Sequence, residues 1–108
     1  METLQLTHEE REQMLNTLSS YRDDEHIDCD IIFDRGYIIQ VYGNIDTKWY
    51  TEPETGGTYP ISRNVDIDIA AYDGEGDEVS LDSQSEAMAY NYLSSVKRPM
   101  LANLLKTA

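Results

Sequence analysis

Apolar and polar residues alternate without a break from Asn64 to Ile69, inside the run Ile61-Ser62-Arg63-Asn64-Val65-Asp66-Ile67-Asp68-Ile69-Ala70-Ala71-Tyr72. A period of two is that of a β-strand, so Val65, Ile67 and Ile69 share one face and Asn64, Asp66 and Asp68 the other. The same period appears earlier, where Ile27, Cys29, Ile31 and Phe33 oppose Asp28, Asp30, Ile32 and Asp34. That segment reads as the first strand. Asp34-Arg35-Gly36 is a short turn, with Gly36 free to take positive φ. In the second strand Tyr37, Ile39, Val41 and Ile45 share one face, and Ile38, Gln40, Tyr42 and Asn44 the other. Gly43 within it marks a bulge or bend. Lys48-Trp49-Tyr50 can extend this strand, but Thr51 to Thr58 has loop composition and Pro60 closes it, so residues 46–59 read as a long loop. After the opening strand, Asp73-Gly74-Glu75-Gly76-Asp77-Glu78 is a turn and Val79-Ser80-Leu81 a short last strand.

Two segments switch to a helical period. Thr7-His8-Glu9-Glu10 matches a capping box, and Met14, Leu15, Leu18 and Tyr21 follow at helical spacing, which predicts a helix over 8–21. Ser83-Gln84-Ser85-Glu86 is a second such match, and Ala89, Tyr92, Leu93 and Val96 give the stripe of a helix over 84–96. Lys97 and Arg98 suit its negative end and Pro99 stops it. Met100, Leu101, Leu104 and Leu105 suggest a short terminal helix. The fold expected is one α+β domain over 1–108. It has a three- to four-stranded antiparallel meander, with the N-terminal helix and one or two C-terminal helices on one face.

Charge narrows the function classes. Against 8 Lys and Arg stand 21 Asp and Glu, a formal net charge of −13. Such a chain is repelled by nucleic acid and anionic membrane and attracted to basic protein surfaces, so direct nucleic-acid binding is not expected. Cys29 is the single cysteine, so no intrachain disulfide forms and a reducing compartment fits. No signal peptide or membrane span is read, and the expected location is the cytoplasm.

Thr58-Tyr59-Pro60, then Val65-Asp66-Ile67-Asp68-Ile69, then Tyr72-Asp73-Gly74-Glu75-Gly76-Asp77-Glu78-Val79-Ser80-Leu81 and an acid-capped helix carry a resemblance. This half of the chain resembles a class of small phage and mobile-element proteins, in which a Pro- and Tyr-containing loop precedes an acidic strand, an acidic Gly turn and a closing helix. The class has more Pro and Glu before the strand than this chain does. Most of its members carry no assigned activity, so the resemblance implies a phage or mobile-element origin, with the host cell cytoplasm as the location, and no catalytic residues.

The candidate chemistry is a surface. If the apolar strand faces share one core, Asp28, Asp30, Asp34, Asp66 and Asp68 share one exposed sheet face, with Gln40 and Tyr42 between them. Carboxylates two residues apart on a strand lie about 6.6 Å apart. DNA carries a charge every ~3.4 Å per strand, so such a row imitates part of a phosphate backbone. The plain alternative is a solvated face that keeps the chain soluble. Trp49, Tyr50 and Tyr59 flank the Gly56-Gly57 loop and either anchor an interface or fold back over the end of a core. The acidic Gly turn from Asp73 fails as an EF-hand, since position 6 is Glu78 and position 12 is Gln84. His8 reads as a first-turn helix residue and His26 as a loop residue. Cys29 and His26 point to opposite faces of a strand and make no nucleophilic pair. No metal, cofactor or catalytic set is expected. Two functions remain as expectations. One is an acidic, non-enzymatic protein that occupies a basic nucleic-acid-binding surface of a host protein. The other is a structural or accessory assembly module of a phage or mobile element.

Overall fold

A computed structural model describes residues 3–21, 25–96 and 105. The elements run β1 (Thr3–Leu4), α1 (His8–Leu18), β2 (His26–Ile32), β3 (Ile38–Thr51), β4 (Thr58–Tyr72), β5 (Glu78–Leu81) and α2 (Ser83–Ser94). Strands β2 to β5 pair antiparallel in succession, as their short connections require. The meander expected from the sequence is nonetheless incomplete as a description. Strand β1 lies parallel to β5, through Thr3 against Ser80 and Leu4 against Leu81. The sheet is therefore mixed and five-stranded, in the order β1-β5-β4-β3-β2. Two paired residues are too few for an alternation to declare itself in the sequence.

The capping box at Thr7 forms. The Glu10 amide donates to Thr7 Oγ1 at 3.2 Å, and the Thr7 amide to Glu10 Oε1 at 2.9 Å. Helix α1 ends at Leu18, short of the expected 21. The Ser19 and Ser20 hydroxyls donate to the Asn16 and Thr17 carbonyls and so compete with a further turn. Helix α2 is capped by Asp82, one residue before the Ser83 expected. Asp82 Oδ1 accepts the Ser85 amide at 2.8 Å. The helix ends at Ser94 rather than at 96. The terminal helix expected over 100–105 lies outside the described residues, apart from Leu105, which is buried in the core.

One core joins the helices to one face of the sheet. Ile27, Ile31, Ile39, Val41, Ile45, Ile67 and Ala71 are buried with Met14, Leu15 and Leu18 of α1 and Met88, Ala89, Tyr92 and Leu93 of α2. Gly43 sits in the inner row between Ile27 and Ile67. Its φ is +152°, and a Cβ there would lie 2.1 Å from the Asp66 carbonyl oxygen. Close backbone approach, rather than a bulge, is what demands glycine at this position.

The bulge lies further on. Lys48 faces Ser62 but Trp49 faces Pro60, which leaves Ile61 as the extra residue. Pro60 is tolerated beside that bulge, on a strand that β5 pairs only at Ala71 and Tyr72. Pairing then continues to Thr51 against Thr58. The long loop expected over 46–59 is thus the end of a hairpin arm whose turn is residues 52–57. The 14 residues of β3 at about 3.3 Å each account for most of the 57 Å length of the molecule.

Candidate interaction face

Among the described residues helices cover one side of the sheet, and the alternating residues of β2, β3 and β4 form the other. Their registers place them in rows: His26, Asn44, Asp66; then Asp28, Tyr42, Asp68; then Asp30, Gln40, Ala70; then Ile32, Ile38, Tyr72. None of these twelve positions is Lys or Arg. Asp28, Asp30, Asp66 and Asp68 are all exposed. Tyr42, at 57% exposure, stands between Asp28 and Asp68. Neighbouring strands lie about 4.8 Å apart, so the two carboxylates flank the ring closely. His26 meets the Tyr42 ring edge-on, at 4.9 Å and 86° between planes. Its Nδ1 lies 3.0 Å from Asn44 Oδ1. His26 is thus the first residue of β2, not a loop residue; its place in line with Asp28 and Asp30 was the available signal.

The edges of this sheet are dressed while the face is open. Tyr21 Oη donates to the Asp28 carbonyl at 3.2 Å, and Gln13 Nε2 to the Ile32 carbonyl at 2.9 Å, along the free edge of β2. On the β4 edge, Tyr90 Oη donates to the Ile67 carbonyl at 2.6 Å. Side chains that occupy these edge carbonyls oppose strand addition at those positions. Burial pushes the Tyr90 hydroxyl above its usual pKa, and the charges of Glu86, Asp68 and Asp66 push it further the same way.

Asp34 does not join the face. It sits in the β2–β3 turn, which the Phe33 amide to Tyr37 carbonyl bond closes at 2.9 Å, and it borders a shallow depression with Glu10, Gln13 and Arg35 on the α1 side. The alternation ends at Phe33, so extending it to residue 34 misplaced this carboxylate.

The arm separates its aromatic residues. Tyr50 and Tyr59 pair across the ribbon, with ring centroids 5.3 Å apart. Trp49 precedes Tyr50 on the same strand and points to the opposite side of the ribbon. All three are exposed, so none folds back over the core. Ile61, the bulged residue, is exposed beside them.

The remaining reactive groups are held in structural contacts. Cys29 is half-buried. Burial pushes its thiol above the usual value, which opposes nucleophilic use. Asp73 Oδ1 accepts the Glu75 and Asp77 amides at 2.9 and 3.0 Å, and Gly76 takes φ +86°, so this acidic stretch is a self-bonded hairpin turn. Among the described residues no three His, Cys, Asp or Glu side chains group to hold a metal ion, and no helix is long and apolar enough to cross a membrane. The chain matches no family model, no curated protein and no solved structure.

Proposed function

We propose that this chain is an acidic, non-enzymatic interaction protein of a phage or mobile element, and that it occupies a basic, nucleic-acid-binding surface of a host protein. The observation that carries the reading is the open face of β2, β3 and β4. Four exposed aspartates surround an exposed tyrosine there, with no basic residue in any of the four rows. Like charges crowded on neighbouring strands destabilise a sheet, and a face kept only for solubility has no need to concentrate them. The mechanism is steric and electrostatic, without turnover. The negative potential speeds encounter with a basic surface, and the docked chain then blocks it.

The protruding arm favours a second reading, an accessory module that assembles through exposed Trp49, Tyr50, Tyr59 and Ile61. Capture of partners from host lysate at low and at high salt separates the two. An electrostatic blocker releases its partner as salt rises, and nucleic acid added at low salt competes for that partner. Retention at high salt with no competition by nucleic acid would favour the assembly module.

A further inference from the structure

We infer that the surface imitated is a single strand rather than a duplex, so the partner is a protein whose groove binds single-stranded nucleic acid. This rests on the reading proposed above and refines its partner class. A duplex hides its base faces in the stack and offers a protein its phosphates and groove edges. A single strand offers phosphates interleaved with exposed rings, and proteins that hold it combine a positive groove with aromatic platforms on which the bases stack. A duplex imitation needs carboxylates alone. This face has carboxylates and rings together.

The exposed rings lie beside the carboxylates and further along the same strand. Tyr42 is flanked in register by Asp28 on one side and Asp68 on the other, and the residue is more than half exposed. Its contact with His26 is T-shaped, with 86° between the ring planes. Tyr50 lies on the same alternation line of β3, eight residues on, or about 26 Å away. There the Tyr50 and Tyr59 rings form a second exposed pair. Between Tyr42 and Tyr50 on that line stand Asn44, Asp46 and Lys48. The track thus runs from aspartates to a projecting aromatic tip with one cation on the way, and its rings suit a groove with stacking residues along it. Side chains on the Asp28, Ile32 and Ile67 carbonyls oppose strand pairing there, which favours entry of the face and the arm into that groove.

The test uses two probe complexes. One is a labelled oligothymidylate held by an OB-fold single-strand-binding protein. The other is a labelled duplex held by a histone-like duplex-binding protein. Each is titrated with this chain. The single strand should be displaced at a concentration about tenfold or more below that needed for the duplex, relative to unlabelled nucleic acid in each case. Tyr42→Ala combined with Tyr50→Ala should raise the concentration needed for single-strand displacement at least about tenfold, as expected for two lost stacking contacts. The corresponding Phe variant should retain wild-type potency, since it keeps both rings. The rings are exposed but pair across strands, so the Ala variant should melt slightly lower and the Phe variant unchanged, and a folding defect would be visible. Equal displacement of both probes, or an Ala variant as potent as wild type, would overturn the inference and leave a charge-only blocker. Failure to displace either probe would overturn the broader reading with it.

Discussion

Asp82 is the residue on which the two helices and β1 converge. Its carboxylate accepts the Leu6 amide at 3.1 Å, the Ser85 amide at 2.8 Å and the Ser85 hydroxyl at 2.7 Å, and Arg11 Nη2 lies 3.3 Å away. Burial pushes this carboxyl up. The bonds from Ser85 and Leu6 and the Arg11 charge outweigh it, and the group stays charged below its ordinary value of 3.8. Glu10 is likewise held below 4.5, first by the Arg35 guanidinium, against burial. Both groups bind protons more tightly unfolded than folded, so stability rises with pH through this range. Their contribution is complete above about pH 4.5 and is lost as pH falls through the lower, folded values. Asp82→Asn turns one acceptor into a donor facing the Leu6 amide and the Ser85 hydroxyl. It should cost roughly 3 kcal/mol in denaturant unfolding at neutral pH and flatten the acid limb of the stability profile. Gly43→Ala should also destabilise, by more than about 2 kcal/mol, because the Asp66 and Ile67 backbone has nowhere to retreat. Little of this was legible. Asp82 and Ser83 are equally good cap residues by type, and the separation of 71 positions between Arg11 and Asp82 hides their pairing from any local pattern.

At the scale of elements, what was legible is what is half-buried. Ile27 to Phe33, Tyr37 to Ile45 and Val65 to Ile69 alternate because one face meets the helices, and their strands form with the faces expected. Asp28, Asp30, Asp66 and Asp68 were readable as one face for the same reason. The arm was not, because both sides of a free ribbon meet water and no burial imposes a period on Lys48 to Thr51 or on Thr58 to Ile61. A two-stranded ribbon without a core is marginal by itself. Amides of residues 49–59 should therefore exchange with deuterium much faster than those of 39–45 in the same strands. Replacing residues 49–61 with Asn-Gly joins Lys48 to Ser62, which already face each other, through a turn that suits a tight hairpin. Thermal unfolding of the body should shift little. An equal loss of protection in 39–45, or an unfolded shortened chain, would show that the arm supports the core.

Across the whole molecule, charge and shape divide the surface by role. The helices close one side of the sheet and bury the apolar residues. The other side concentrates carboxylates around Tyr42, within a chain of formal charge −13. The net charge was plain from composition, but its significance depends on the registers that bring Asp28 and Asp68 to either side of one ring. The most direct measurement is the association rate of the captured partner, over a range of salt, with the wild type and with Asp66→Asn combined with Asp68→Asn. The variant keeps side-chain size and polarity and should fold as well or slightly better, since repulsion is relieved. If the face works through its charge, the variant associates more slowly at low salt and its rate falls less steeply as salt rises. An unchanged rate and an unchanged salt slope would contradict this, reduce the acid to a means of solubility, and shift attention to the aromatic arm.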